Sequence, residues 1–266
     1  MDLYQIHQPG TTHGTQAPRP AYHGHLQEPI RHRVMNKRPF LLAILAAPLF
    51  HGCSSDLLDR RPGEGVIEYA LSFPDYDPNG IMAGMLPERT TLSFSDDKQV
   101  AELSAGMGIF RTTMVIDGAK EDMDYHLSMM SKKMVAHMQP RDLGLFNKEL
   151  GKPTIIFTED RDTIAGYPCK RAVAIFDRIE HPETDLWYTE GIELKNPNWA
   201  SPFAEIPGVL LRYDLVQYGM RMRLDAISVQ PGEVDPAKFQ VKDGFDPVKP
   251  EVLHHELAEV LGTFSM

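Results

Sequence analysis

From Gly65 onward the chain alternates apolar and polar side chains in short runs. Ile67, Tyr69, Leu71 and Phe73 share one side of the run Gly65–Phe73, the period of a strand with one buried face. Pro74 to Gly80 is rich in turn residues. Ile81–Leu86 reads as a short helical segment covering one end of a sheet. Further alternating runs occupy 90–94, 99–103, 109–116, 123–129 and 134–138, with Ser, Asp and Gly turns between them. Strands spaced about 8–12 residues apart predict an antiparallel meander. Connections this short leave no room for crossover helices, so a parallel sheet is ruled out.

Arg141 to Lys152 interrupts the alternation and reads as a helical turn. Strands resume over 154–158, from Cys169 to Phe176, and over 186–190, 209–216 and 220–226. The last two form a hairpin across Gln217-Tyr218-Gly219, and Ile227-Ser228-Val229 closes the sheet. A long loop over 196–205 carries Trp199 and Phe203. Asp235 followed by Pro236 is an N-cap and first-turn pair, predicting one helical turn. Val252, Leu253, Leu257, Val260 and Leu261 mark an amphipathic helix in the tail. The expected fold class is mainly β: a long, curved antiparallel sheet with short helices and a C-terminal amphipathic helix.

The segment before this domain has a different pattern. Lys37 and Arg38 precede an apolar run, Phe40 to Phe50, which ends at His51-Gly52-Cys53. A charged region, a short apolar region and a small residue at the cut describe a secretory signal. The run is shorter than the ~20 residues a spanning helix needs. Gly52-Cys53 resembles the lipobox of bacterial lipoproteins, which implies cleavage before Cys53 and acylation of its thiol. Residues 1–34 hold Pro, Gly, Gln and five of the eleven histidines (His7, His13, His23, His25 and His32) but few aliphatic residues. Such a segment cannot offset its ordering entropy. It is read as a disordered extension or a mis-assigned start, with Met35 as the natural beginning. The organisation expected is therefore 1–34 extension, 35–52 signal, 53–64 lipidated tether, 65–245 β-rich domain and 246–266 helical tail.

Cleavage at Cys53 leaves 214 residues, enough for one domain with a real core. The removed part carries five Lys/Arg and two Asp/Glu, so the net −10 of the whole chain leaves about −13 on the domain. A domain this acidic is not expected to take nucleic acid or an anionic membrane surface as its main partner. With Cys53 acylated, Cys169 has no partner for an intrachain disulfide and reads as a buried small hydrophobe. No second apolar stretch approaches spanning length, so the lipid is the one membrane attachment expected.

Two segments carry a resemblance. Ile164-Ala165-Gly166-Tyr167-Pro168-Cys169-Lys170 resembles the Ile-x-Gly-Tyr-x-Cys-Lys segment of a group of bacterial outer-membrane lipoproteins. Ile206-Pro207-Gly208-Val209-Leu210 resembles the Leu-Pro-Gly segment of GLPGLI-type proteins. The resemblance implies a LolA/LppX-like half-barrel around a lipid-sized apolar cavity, on an outer-membrane lipoprotein facing the periplasm or cell surface. It supplies no catalytic residues.

Methionine is abundant, at 14. Met114, Met123, Tyr125, Met129, Met134 and Met138 fall on neighbouring strands, and Met220 and Met222 on the later hairpin. With Trp199 these residues are the candidate lining of a pliable hydrophobic cavity, because methionine repacks around varied shapes; an ordinary core is the competing account. His126 and His137 alternate with the methionine face and are expected to point outward. His254-His255-Glu256 and Glu259 lack the His-Glu-x-x-His spacing and read as a solvated helix face. No Gly-x-Ser-x-Gly elbow, phosphate loop or Cys-x-x-Cys occurs, so no catalytic residue, metal or cofactor is expected. The leading expectation is non-catalytic binding of a lipid or other hydrophobic ligand. The alternatives are an assembly subunit whose concave face and Trp199 loop dock another envelope protein, and a hydrolase whose site the sequence hides.

Overall fold

The computed structural model describes residues 61–77, 79–80, 83–148, 150–177 and 182–262. These all belong to one unit, Gly52–Met266. The expectations for the extension, the signal, Cys53 and residues 53–60 of the tether lie outside the described residues.

Twelve strands form one sheet. β1 (Glu64–Ser72), β2 (Arg89–Ser95), β3 (Lys98–Ala105), β4 (Phe110–Asp117), β5 (Asp122–Met129) and β6 (Lys132–Met138) run as a meander. β7 (Thr154–Ile164), β8 (Tyr167–Ile175), β9 (Glu183–Thr189), β10 (Val209–Gln217) and β11 (Met220–Pro231) form a second one. β12 (Asp246–Pro247) is a two-residue strand. The spatial order is β12-β6-β5-β4-β3-β2-β1-β11-β10-β9-β8-β7. The first and last strands of the two meanders, β1 and β11, therefore pair at the centre, with Gly65 opposite Pro231 and Leu71 opposite Leu224. The sheet is curved and unclosed, with β7 and β12 at its edges. This is the mainly β half-barrel that the alternation and the resemblance predict.

Two details differ from expectation. Ile227-Ser228-Val229 is no separate closing strand but the continuation of β11 along β1. The register slips there between Glu68 and Tyr69, which leaves Ile227 without a cross-strand partner and exposed. The sheet also contains one parallel pair, β12 beside β6, with Asp246 opposite Met134. This pair needs no short crossover. The chain reaches β12 only after leaving β11 and crossing the outer face with residues 232–245.

That crossing also corrects the reading of His126. His137 is exposed and pairs with Asp124 at 3.0 Å. His126 does face away from the methionine side, yet it is only 1% exposed. Residues 242–245 cover it: the Lys242 backbone N–H donates to its Nε2 at 3.2 Å, and Phe245 stands edge-on at 5.0 Å. Nδ1 lies 3.3 Å from the Thr113 carbonyl, which accepts from it and so fixes the proton on Nδ1. The Lys242 ammonium bonds Thr113 Oγ1 and Glu102 beside it.

Cross-strand register sorts the inner face into rows. Tyr69, Thr90, Leu103, Thr112, Leu127 and Met134 form one row across β1 to β6, and Ile67, Leu92, Ala101, Met114, Tyr125 and Ala136 the next. Two elements cover this face. The helix α2 (Pro250–Gly262) buries Leu253 and Leu257 completely, each worth about 1.5–3 kcal/mol by burial. Together with α1 (Leu143–Phe146) it packs on β4 to β6. The loop over 196–206 buries Phe203 and Ile206 against β8 to β10. It turns into β10 at Gly208, whose missing side chain admits the Thr189 carbonyl. Asp235 caps the helical turn Pro236–Phe239 by accepting from the Ala237 N–H at 2.9 Å.

The outer face of β7 to β11 carries interleaved charges. Arg171 bonds Asp160 and Asp185, Arg212 bonds Asp162 and Asp225, and Arg221 and Arg223 share Asp214. Edge strand β7 is broken by a register shift between Phe157 and Arg161.

Burial lowers the pKa of His126 below its ordinary 6.5. The unfolded chain then binds a proton that the folded chain refuses. Stability is full above about pH 6.5 and falls as the pH drops below it. Unfolding free energies measured across that range are expected to show this fall in the native chain and to lose most of it in His126→Leu.

Candidate hydrophobic-ligand groove

Between the region under α2 and the region under the 196–206 loop, the inner face is not filled by side chains. The residues that meet there are short: Ala101 on β3, Thr90 on β2 and Thr112 on β4. Longer walls surround them, built from Tyr69, Leu103, Met114, Tyr125, Tyr213 and Leu224. Leu261 of α2 closes one side, and Met85, from the helical turn Ala83–Met85, closes the mouth. The resulting cavity is about 160 Å³. A second chamber, also about 160 Å³, shares Tyr69, Leu92, Ala101, Met114 and Tyr213 with it and lies beneath residues 197–202. Each is comparable to an engineered cavity of ~150 Å³ that holds one benzene. Together they suit a narrow apolar chain better than a bulky, many-chained lipid.

Three polar side chains of the groove bond protein carbonyls. Tyr69 donates to the Leu210 carbonyl at 2.8 Å, and Thr90 donates to the Glu102 carbonyl at 2.8 Å. Gln99, in the second chamber, donates to the Pro197 carbonyl. Burial pushes the Tyr125 and Tyr213 phenols up to about 12, so both are neutral at any physiological pH. Among the described residues no charged side chain lines the first chamber. A ligand's apolar part is thus accommodated, while a charged head meets no counter-charge inside and must remain at the mouth.

The structure divides the residues expected to line a cavity. Met114, Tyr125, Met220 and Met222 reach the groove. Met123, Met138 and Trp199 are buried in the core beneath α2, and Met129 and Met134 pack at its edge. Trp199 Nε1 has no acceptor among the described residues. Sequence reading passed over Tyr69, Leu71, Leu103 and Thr112, which the strand alternation marks, and Tyr213 and Leu224, which reach the groove only through the pairing of β1 with β11. Cys169 lies apart, 1% exposed, with its thiol pushed up to about 11 by burial. His255 pairs with Glu259, and Glu256 is held by Lys132. Tyr218 bonds His254 across its ring. Among the described residues no three His, Cys, Asp or Glu side chains gather as a metal site. Nor is any helix among them long and apolar enough to cross a membrane.

No protein-family model matches the chain, and no curated protein does. Several solved structures are similar to it at low TM-scores. Two crystal forms of PNGF-II superpose with TM-scores of 0.48 and 0.46 at 16% and 15% identity, each over 74% of this chain. This chain spans only about a third of PNGF-II, 32% and 33% of its length. A LolA superfamily protein from Nitrosomonas europaea gives 0.29 at 10% identity, covering 70% of this chain and 94% of that one. A beta-barrel-like protein of a domain of unknown function from Brucella abortus gives 0.31 at 8% identity, covering 65% and 99%.

Both phenols have folded-state pKa values above the ordinary 10.0. Their contribution is complete below about pH 10 and is lost as the pH rises toward 12, because the unfolded chain ionises first. Unfolding free energy is expected to decline over that interval, and the decline to shrink in Tyr213→Phe, which keeps the ring and removes the proton.

Proposed function

We propose that this protein is a cell-envelope lipoprotein, anchored through an acylated Cys53, that holds a lipid or another hydrophobic molecule in its groove without transforming it. The observation that carries the binding half is the pair of apolar chambers on the inner face, walled by Tyr69, Met114, Tyr125, Tyr213 and Met222. Pockets that bury most of a ligand in apolar surface with few polar groups are the usual form of small-molecule sites. Methionine at four of the groove positions, Met85, Met114, Met220 and Met222, suits a ligand class of variable shape. The anchoring half rests on the sequence: Lys37 and Arg38, the run Phe40 to Phe50, and Gly52-Cys53. Its expected location is the outer membrane of a bacterial envelope, facing the periplasm or the cell surface.

Two measurements test the halves separately. Ala101 lies where both chambers meet, so Ala101→Trp fills them. Binding of a fluorescent fatty-acid probe is expected to weaken at least about tenfold, a loss of roughly 1.4 kcal/mol. Unchanged affinity in a folded Ala101→Trp chain counts against the groove. For the anchor, Cys53→Ser is expected to abolish acylation, seen by mass spectrometry, and to release the protein from the membrane fraction. Unaltered maturation in that variant counts against the lipid.

A further inference from the structure

Among the described residues the two most exposed large apolar side chains, Met107 and Met130, sit in neighbouring turns at one end of the sheet, with Ile109 beside them. Met107, in the β3–β4 turn, is 99% exposed, Met130, in the β5–β6 turn, is 83% exposed, and Ile109 is 48% exposed. Met107 and Met130 both have positive φ, 56° and 52°, a conformation in which a long side chain is uncommon. Neither backbone preference nor packing accounts for methionine at these positions. The turns are joined, since the Met130 N–H donates to the Ile109 carbonyl. Met85 lies against Gly106 at the base of the same tip.

Just behind the tip, register places Arg111 opposite Ser128, and Ser128 opposite Lys133. Two exposed cations thus share one face, and neither forms an ion pair among the described residues. Two nearby acids are engaged with other bases: Glu68 with Arg89, and Glu256 with Lys132. At the opposite end of the sheet acids outnumber bases, with Asp96, Asp97, Glu190 and Glu193 against Arg61 and Lys195 around one depression. In a chain of net charge −10, the tip is a local reversal of sign that coincides with exposed apolar side chains. That pairing is the composition of a surface that enters a bilayer interface.

We propose that this end of the sheet docks on an anionic lipid surface, Met107, Ile109 and Met130 entering the interfacial layer while Arg111 and Lys133 meet headgroup phosphates. The contact is separate from any anchor near the N-terminus. The chain enters the domain at Gly63, which bonds Asp96 at the acidic end, and the nine residues of β1 span about 30 Å to the tip at ~3.3 Å per residue. Met85 belongs both to the base of the tip and to the groove mouth, so a docked tip brings that mouth to the lipid surface.

The test uses the full chain carrying Met107→Trp, with phosphatidylcholine vesicles prepared with and without phosphatidylglycerol and brominated at the mid-chain. A fluorophore at the tip reports contact of that site, whatever binding the N-terminal segment contributes. Blue-shifted emission and bromine quenching are expected on the phosphatidylglycerol vesicles. Adding Arg111→Gln with Lys133→Gln is expected to weaken that signal roughly thirtyfold at low salt, from about tenfold for each 1.4 kcal/mol and ~1 kcal/mol per basic residue. Met130→Ser is expected to weaken it as well. Ala101→Trp, which fills the groove, is expected to leave vesicle contact by an otherwise native tip unchanged, so the two readings fail independently. Unshifted, unquenched emission from position 107 on protein-coated vesicles overturns the proposal. So does quenching that is equal without phosphatidylglycerol. Self-association in the absence of lipid that is abolished by Met107→Ser assigns the tip to a second copy and also overturns it.

Discussion

The pairing of β1 with β11 is the constraint on which the rest of the structure depends. Glu64–Ser72 and Met220–Pro231 lie at opposite ends of the domain's sequence, yet they form the central ladder of the sheet. Each meander alone is a local series of hairpins. Joined along this ladder they become one continuous curved surface, and Tyr69 comes to stand 6.4 Å from Tyr213, edge to face. Closing so long a loop is entropically costly. The cost is offset by burial along the join: Ile67, Tyr69, Leu224 and Ala226 are all inaccessible or nearly so. The bulge at Ile227, opposite Glu68 and Tyr69, adds local twist where the two halves meet.

The groove follows from how that surface is covered. A flat sheet would be sealed by one layer of helices, but here the two covering elements reach the inner face from different sides. α2 settles over β4 to β6 with Leu253 and Leu257, and the 196–206 loop settles over β8 to β10 with Phe203. The middle, along β1 to β3 and β11, is only bordered by them, by Leu261 on one side and residues 197–202 on the other. Its strands contribute alanine and threonine at the points of closest approach, so the trough persists between the two cores. The neutral phenols and inward hydrogen bonds keep its walls dry in character.

Much of this was legible in the chain. Period-2 runs located nearly every strand, Gln217-Tyr218-Gly219 located a hairpin, and Asp235-Pro236 located a capped turn. Those signals are local, and local geometry decides them. What the pattern could not show were the consequences of distant pairing. Alternation put Met114 and Met138 in equivalent classes, but α2 covers one and leaves the other facing the trough. Alternation also sent His126 outward correctly. Nothing near it in sequence announces that Lys242 and Phe245, more than a hundred residues later, fold over it. Bulges opposite Arg171 and beside Leu210 shift the register as well, and the single extra residue beside Leu210 exchanges the faces that a strict two-residue count assigns.

The two borders of the sheet have a consequence for the molecule's company. A half-barrel leaves open backbone at both margins, a template on which further strands could add without limit. One margin ends in a two-residue parallel strand finished by Pro247, which has no N–H to offer. The other is interrupted at Thr158 to Asp160 and lined with Glu159, Asp160, Arg161 and Asp162. Neither margin therefore offers an unbroken strand on which a second copy could extend the sheet.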